Sequence, residues 1–162
     1  MSRLDSFIRR MQAQRSCLNA AAKAIADMPG PIFELGLGNG RTYDHLRELF
    51  PDRDIVVFEK KISAHPDCIP PDNLLYLGEV HDTLPRAIEQ YRHQVALVHS
   101  DIGSGDVHSN AKLASYIAEQ IPSAVQPGGL LLSDQKMPVK NATALPLPED
   151  VAEDRYFMLR LP

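Results

Sequence analysis

Cysteine is scarce in this chain of 162 residues, which carries only Cys17 and Cys68. The two lie far apart and form no Cys-x-x-Cys or Cys/His spacing, which argues against a zinc site and a secreted disulfide scaffold and favours a reducing cytoplasm. Long apolar runs are also missing. Because a membrane-spanning helix needs roughly 20 consecutive apolar residues, we expect a soluble, cytoplasmic protein with no membrane partner.

Positive charge is limited as well. Lys and Arg number 17 against 21 Asp and Glu, which gives a net charge of -4. Proteins that bind nucleic-acid backbones need a basic surface, so nucleic acid is not an expected partner. Residues 1–28 are the exception, with five basic and two acidic side chains. We therefore expect a locally basic first element.

The first 28 residues show helical periodicity. Ser2 and Asp5 have the spacing of a capping box, and the sequence Pro-Gly-Pro at 29–31 ends the pattern. Apolar side chains recur at helical spacing at Leu4, Phe7, Ile8, Met11, Leu18, Ala22 and Ile25. This pattern predicts an amphipathic N-terminal helix over residues 1–28.

After this helix, short apolar runs alternate with turn signals and helical stretches, which is typical of a parallel sheet with crossover helices. We predict strands at 32–37, 54–59, 74–77, 95–100 and 130–133, and helices at 42–50, 62–65, 84–91 and 109–121. The predicted fold class is α/β, with a doubly wound, mainly parallel sheet of order 3-2-1-4-5 and helices on both faces.

The chain length fits one domain. We divide it into the N-terminal helix at 1–28, a core at 32–135, and a Pro-rich loop with a terminal strand at 136–162. Residues 136–154 show no convincing period and are predicted to form a long loop. The last run, 155–161, alternates as a terminal edge strand would.

The segment 34–40 reads Glu-Leu-Gly-Leu-Gly-Asn-Gly and lies between the first strand and a helix. Glycines there let the backbone turn sharply and approach a ligand closely. Dinucleotide-binding turns usually read Gly-x-Gly-x-x-Gly, and the third glycine here comes one residue early. Glu34 would repel a pyrophosphate and attract the ammonium group of an amino acid. The turn therefore suits S-adenosylmethionine better than NAD.

Acidic residues also follow the next three strands. Glu59 lies 21 residues after Gly38, where a carboxylate can accept hydrogen bonds from both ribose hydroxyls. Glu79 ends the third strand, where an acceptor could meet an adenine amino group. Asp101 ends the fourth strand, across the switch point from the first, and is predicted to face the reactive end of the ligand.

Together these residues resemble the class I S-adenosylmethionine-dependent methyltransferases, over residues 32 to about 135. The resemblance implies S-adenosyl-L-methionine as cofactor, with contacts from Glu34, Gly36, Leu37, Gly38, Asn39, Gly40, Thr42, Glu59, Lys60, Glu79, Val80, Ser100 and Asp101. Two features depart from the family pattern. The adenine-contacting residue is more often Asp than Glu, and the family usually has two strands after the fifth where one is predicted here, so a second subunit could complete the sheet.

The resemblance implies methyl transfer by direct displacement to a small-molecule acceptor. Asp101 is the predicted catalytic base, with His99 and His108 as alternatives. A metal-dependent variant would use Asp101 with Asp134 and Gln135, but Gln in place of Asn moves the carbonyl outward. We therefore assign no metal.

Two other function classes stay open at this point. One is a non-catalytic module that binds S-adenosylmethionine or serves in assembly, and the other is an NAD(P)-dependent oxidoreductase. The apolar first helix and the terminal strand further predict a homo-oligomer. The sequence names neither the acceptor nor the atom that is methylated.

Overall fold

The computed structural model describes residues 2–103 and 106–162. Within these residues seven strands form one sheet of order β3-β2-β1-β4-β5-β7-β6. The strands are β1 Ile32–Leu35, β2 Ile55–Glu59, β3 Leu75–Leu77, β4 Val95–Ser100, β5 Val125–Ser133, β6 Thr143–Ala144 and β7 Phe157–Arg160. The first five pair in parallel, and β7 pairs antiparallel with both β5 and β6. The predicted α/β class and the order 3-2-1-4-5 are confirmed.

Four helices found in the described chain connect and cover these strands: α1 Arg3–Ala24, α2 Arg41–Leu49, α3 Val80–Tyr91 and α4 Val107–Gln120. Ser2 caps the start of helix α1: its hydroxyl accepts from the amide of Asp5, and the Asp5 carboxylate accepts from the amide of Ser2, in the predicted capping box. Asp106 caps the start of helix α4, where its carboxylate accepts from amides of the first turn. Such caps satisfy amides that have no partner within the helix.

The two faces of the sheet carry separate cores. Helices α1 and α2 cover one face, with Leu18 and Leu46 fully buried against it. Helices α3 and α4 cover the other, with Leu84 and Ile117 buried. Because both faces are covered, the central strands are apolar on both sides. This arrangement leaves the carboxyl ends of β1 to β5 along one edge, where loops and helix starts meet.

Three details differ from the sequence-based predictions. Two strands follow β5 where the sequence predicted one, because a short strand, β6, lies inside the predicted loop 136–154. Strand β6 pairs with β7 and forms the edge of the sheet, so β7 is not the edge strand that was predicted. The predicted helix at 62–65 is absent from the described structure, which has a short 3-10 turn at Pro66–Cys68 instead. In α1, the apolar side chains near the start are exposed: Leu4 by 65%, Phe7 by 45% and Ile8 by 44%.

No helix in the described ranges combines the length and apolar character needed to cross a membrane.

Candidate active site at the carboxyl edge of the sheet

Three neighbouring clefts open along the carboxyl ends of the strands. The β2–β3 cleft, of about 440 Å³, is lined by Gly36, Glu59 and Glu79, with Val80 and Leu113 among its apolar walls. Gly36 also lines the cleft beside the glycine turn, so these two clefts adjoin. In open α/β sheets, ligands bind outside the carboxyl ends of the strands, at the point where the strand order reverses.

The other two clefts lie nearer to helix α1. The glycine-turn cleft, of about 350 Å³, lies between the turn at 36–39 and the α1 residues Phe7, Arg10 and Gln14. The β4–β5 cleft, of about 610 Å³, is lined by Arg10, Asp101 and Asp134. Since Arg10 and Asp101 line both clefts, the two adjoin. Together the three clefts form a continuous edge site.

The glycine turn has the backbone conformation that only glycine adopts easily. Gly36 has φ +93, and a Cβ there would lie 2.8 Å from the carbonyl oxygen of Asp101. Gly38 has φ +51, and a Cβ there would meet nothing within 4 Å. The first glycine is therefore needed for packing, whereas the second leaves open space toward the cleft.

Glu59 holds this turn in place. One carboxylate oxygen accepts hydrogen bonds from the amides of Leu37 and Gly38, at 2.8 and 3.0 Å. The other accepts from the amides of Lys60 and Lys61, at 2.7 and 3.2 Å. Four backbone donors thus fix the carboxylate, which lines the β2–β3 cleft where it was predicted to meet a ribose.

Glu79 and Lys60 lie on the rim of the same cleft. The Lys60 ammonium nitrogen lies 2.6 Å from a Glu79 carboxylate oxygen, and both side chains are more than half exposed. An exposed pair of this kind is weak. Both side chains can therefore move to meet a ligand, and Val80 forms the apolar wall beside them.

Glu34 differs from its predicted position in the cleft. It has no exposed surface, because the parallel register places it beside His99 of β4. One of its carboxylate oxygens accepts from the Thr42 hydroxyl, and the other lies 2.5 Å from Nδ1 of His99. The predicted direct pairing of Glu34 with a ligand ammonium is therefore not the arrangement found. Its carboxyl group lies beneath the glycine turn.

The opposite nitrogen of His99 is hydrogen-bonded to the hydroxyl of Tyr156. We call Thr42, Glu34, His99 and Tyr156 the buried chain. Burial opposes a charge on His99, but the adjacent Glu34 carboxylate raises the pKa of His99 above its usual value. Burial, reinforced by nearby carboxylates, raises the pKa of Tyr156 well above its ordinary value. The Glu34 contact thus favours the protonated form of the His99 imidazole, and burial favours the neutral phenol of Tyr156 at the end of the buried chain.

Asp101 lines two of the clefts, and side chains of helix α1 bind its carboxylate. Both oxygens accept from one nitrogen of Arg10, at 2.8 and 2.7 Å, and one also accepts from Gln14 at 2.6 Å. Burial alone would raise the pKa of Asp101, but Arg10 and Gln14 together lower it below the ordinary value of 3.8. The carboxylate is therefore ionised and anchors α1 over the cleft.

Asp134 follows β5 and lines the β4–β5 cleft. Burial and the negative charge of neighbouring Asp101 raise the pKa of Asp134 to about 6. Its Oδ1 is buried and has no hydrogen-bond partner among the described residues. Gln135 turns its amide toward the carbonyl of Ile102. The described residues contain no group of three or more His, Cys, Asp or Glu side chains placed to hold a metal ion.

The remaining predicted residues fall around the same site. Asn39 and Thr42 line the glycine-turn cleft. Ser100, at the end of β4, is 2% exposed and lies behind the strand ends rather than in an open cleft. The two histidines predicted as alternative bases lie in different surroundings: His99 is fully buried, whereas His108 is exposed on the first turn of α4. Part of the predicted acceptor loop 103–108 lies outside the described residues.

Sequence reasoning missed Arg10, Gln14 and Tyr156 as site residues. Arg10 and Gln14 reach Asp101 across 91 and 87 positions of the chain, and Tyr156 reaches His99 across 57. Nothing local in the sequence marks such pairs. The one available signal was the basic character of residues 1–28.

Comparison with known proteins shows the family. A family model described as S-adenosyl-L-methionine methyltransferase matches residues 1–161. The chain belongs to this methyltransferase family. A crystal structure of an S-adenosyl-L-methionine methyl transferase from Silicibacter pomeroyi DSS-3 is 41% identical, with a TM-score of 0.94, and the match covers 100% of this chain and 99% of that one. Comparison with curated proteins gives no match.

More distant structures share the fold of this methyltransferase. Human methyltransferase-like protein 13 in complex with SAH is 10% identical, with a TM-score of 0.58 over 94% of this chain and 80% of that one. A probable spermidine synthase from Corynebacterium glutamicum ATCC 13032 is 17% identical, with a TM-score of 0.55 over 75% of this chain and 46% of that one. The predicted recognition of a class I methyltransferase is confirmed.

The enzyme's cofactor is S-adenosyl-L-methionine, and the residues present fit it. Open space at Gly38 leaves room for a ligand against the turn. Carboxylates at Glu59 and Glu79 face the β2–β3 cleft, whose walls at Phe58, Val80 and Leu113 suit a purine ring. Family membership favours the predicted methyltransferase over the module and oxidoreductase alternatives.

Proposed function

We propose that this methyltransferase acts on a small polar acceptor that enters through the β4–β5 cleft. The observation that carries the proposal is the shared wall of two clefts: Arg10 and Asp101 line both the glycine-turn cleft and the β4–β5 cleft. An acceptor in the second is therefore adjacent to a cofactor in the first. The polar lining, with Asn110, Asp134 and Gln135, suits a molecule rich in hydrogen-bonding groups.

The proposed cofactor site joins the β2–β3 and glycine-turn clefts. We place the adenosine in the first, with the ribose hydroxyls at Glu59 and the adenine at Glu79 and Val80, and Lys60 on the rim. The amino-acid part lies in the second, against the turn. The full proposed set is Gly36, Leu37, Gly38, Asn39, Gly40, Thr42, Glu59, Lys60, Glu79, Val80 and Asp101, with Glu34 and Ser100 beneath it.

When bound, S-adenosylmethionine supplies an electrophilic methyl group on a sulfonium. The chain's own contribution is then alignment of the acceptor with that group, which holds the reacting atoms in near-attack geometry. Helix α1, anchored through Arg10 and Gln14 to Asp101, closes the glycine-turn cleft from above. Direct displacement needs no covalent intermediate with the enzyme.

An acceptor screen tests the proposal. Purified enzyme is incubated with S-adenosylmethionine and pools of small amines, phenols, thiols and carboxylic acids, with parallel arms containing nucleic acid or protein, and S-adenosylhomocysteine is measured with and without Mg²⁺. We expect product from a small-molecule pool, unchanged by Mg²⁺. Product formed only with nucleic acid or protein would contradict the proposed acceptor class, and product that requires Mg²⁺ would contradict the metal-free assignment.

We also propose a cytoplasmic homo-oligomer. Leu4, Phe7 and Ile8 on α1 and Val107 on α4 are exposed apolar side chains, and Phe7 and Val107 line clefts of the site. A second copy packed there would bury them and narrow the acceptor entrance. Light scattering after size exclusion tests this proposal, with the triple variant Leu4→Ser, Phe7→Ser, Ile8→Ser expected to dissociate. A monomeric parent protein at micromolar concentration would contradict it.

A further inference from the structure

The acceptor cleft contains a carboxyl group whose bonding is incomplete. Asp134 lies at the end of β5, and its Oδ1 is buried without a hydrogen-bond partner among the described residues. Buried polar atoms in proteins are nearly always paired, so each exception calls for an explanation. Asp134 also lines the β4–β5 cleft, and the residue as a whole is only partly buried. Rotation of the carboxyl group exchanges its two oxygens, so the group can offer an oxygen to a donor on a molecule in that cleft.

The other candidate bases near the clefts are already engaged or distant. Asp101 accepts hydrogen bonds on both oxygens from Arg10, and one oxygen accepts a further bond from Gln14. His99 is fully buried between Glu34 and Tyr156. A general base must come within hydrogen-bond reach of the proton that it removes. The Asp101 carboxylate is held in an ion pair with Arg10, and His99 has no exposed surface.

His108 is the remaining histidine alternative. It is exposed on the first turn of α4, and it lines none of the three clefts as described. Its neighbours Val107 and Asn110 do line the β4–β5 cleft. Of the two carboxyl groups that line the described β4–β5 cleft, Asp134 is therefore the one that Arg10 and Gln14 do not hold.

The charges around Asp134 suit a base that works near neutral pH. Burial and Asp101 raise the pKa of Asp134 to about 6, while Arg10 of α1 and His99 of β4 oppose that rise. The group is then mostly ionised at pH 7 and can still hold a proton briefly. A base with a pKa near the working pH is the most effective kind.

We propose that Asp134 is the catalytic residue that takes the proton from the acceptor's nucleophilic hydroxyl or ammonium group, whereas Asp101 is a positioning residue that anchors α1. The inference rests on the methyltransferase function proposed above and adds the acceptor class: a molecule that presents an O–H or N–H donor at the end of β5.

The proton and electron accounting is simple. The acceptor's O–H or N–H bond breaks, and its proton goes to the Asp134 carboxylate oxygen turned toward the cleft. The freed electron pair forms the new bond to the methyl carbon, and sulfur keeps the pair of the broken carbon–sulfur bond. Asp134 then returns its proton to solvent through the open cleft, so no oxidant, reductant or further reactant is needed.

A binding experiment tests this assignment without a known acceptor. Sinefungin carries a carbon with a protonated amine where S-adenosylmethionine carries its positively charged methyl sulfonium. S-adenosylhomocysteine has a neutral thioether at this position. The ratio of their dissociation constants therefore reports the electrostatic surroundings of the transferred methyl group. Both ligands are titrated by calorimetry into the wild-type protein, Asp134→Asn and the exposed control Asp52→Asn, at pH 5 and pH 8.

In the wild type and Asp52→Asn, sinefungin should gain about tenfold in affinity over S-adenosylhomocysteine between pH 5 and pH 8, because Asp134 ionises in this range and a charged hydrogen bond forms. Asp134→Asn should lose this gain and keep its affinity for S-adenosylhomocysteine. If Asp134→Asn fails to fold, the wild-type pH dependence still decides.

Two results would overturn the assignment. A ratio that is the same in Asp134→Asn and the wild type, or a wild-type ratio that does not change with pH, would remove Asp134 from the methyl-transfer point while leaving the methyltransferase function intact. Failure of the wild-type protein to bind either ligand would overturn both this assignment and the proposed cofactor site.

Discussion

Replacing Glu59 by alanine is the most informative single change in the cofactor site. Its carboxylate accepts from the amides of Leu37 and Gly38 on one oxygen and from Lys60 and Lys61 on the other. The same carboxylate is proposed to receive the ribose hydroxyls. The substitution therefore removes the ligand contact and releases the glycine turn that shapes the cleft.

Hydrogen bonds to a charged group contribute about 1.5 to 3 kcal/mol each. Because the turn can partly reform its bonds with water, we expect Glu59→Ala to weaken S-adenosylmethionine binding by about 1 to 3 kcal/mol, or roughly 5-fold to 150-fold in the dissociation constant. Glu59→Gln keeps a carbonyl acceptor for the turn and loses the charge, so its loss should be smaller.

Isothermal titration calorimetry with S-adenosylmethionine and S-adenosylhomocysteine measures both variants, and urea unfolding shows whether each is folded. Glu79→Ala is the comparison variant on the same cleft. It removes the proposed adenine contact but leaves the glycine turn intact, because the Glu79 carboxylate pairs with Lys60 on the exposed rim and not with the turn amides, so we expect a smaller loss than for Glu59→Ala. Wild-type affinity in a folded Glu59→Ala protein would refute the reasoning.

Three further predictions concern stability in urea unfolding. Arg10→Met should lower the free energy of unfolding by about 1 kcal/mol at pH 7, since Arg10 is half exposed. Because the pKa of Asp101 is lower in the folded state, this loss should be present above about pH 4 and vanish below the folded-state pKa. A loss that persists at lower pH would contradict the pairing. Tyr156→Phe should cost about 1 to 3 kcal/mol, because a buried histidine nitrogen loses its partner; an unchanged midpoint would argue against the buried chain. Gly36→Ala should destabilise more than Gly38→Ala, because only the first would place a Cβ against backbone; equal losses would contradict the turn geometry.

Most of the fold was predictable because its signals are local. Buried parallel strands are apolar on both sides, so each of the first five appears as a short apolar run between turn residues. Strand β6 was missed because Thr143–Ala144 is only two residues long and carries no periodicity. Its pairing depends on β7, which follows later in the chain.

The candidate site likewise contains residues that local sequence identifies and residues whose roles depend on distant contacts. The glycine turn and Glu59 lie at fixed places in one βαβ unit, so spacing alone identifies them. The state of Glu34 and Asp101 depends instead on distant partners. The register beside β4 buries Glu34 against His99, and helix α1 pairs the ionised Asp101 carboxylate with Arg10. These long-range pairs changed the expected roles of both carboxylates.

A crystal structure of the protein with bound S-adenosylhomocysteine tests the central claim most directly. We predict adenosine in the β2–β3 cleft with its ribose on Glu59, the amino-acid part against the glycine turn beneath α1, and the sulfur directed toward the cleft that contains Asp134. The ligand bound elsewhere, or with its sulfur turned away from that cleft, would contradict the account.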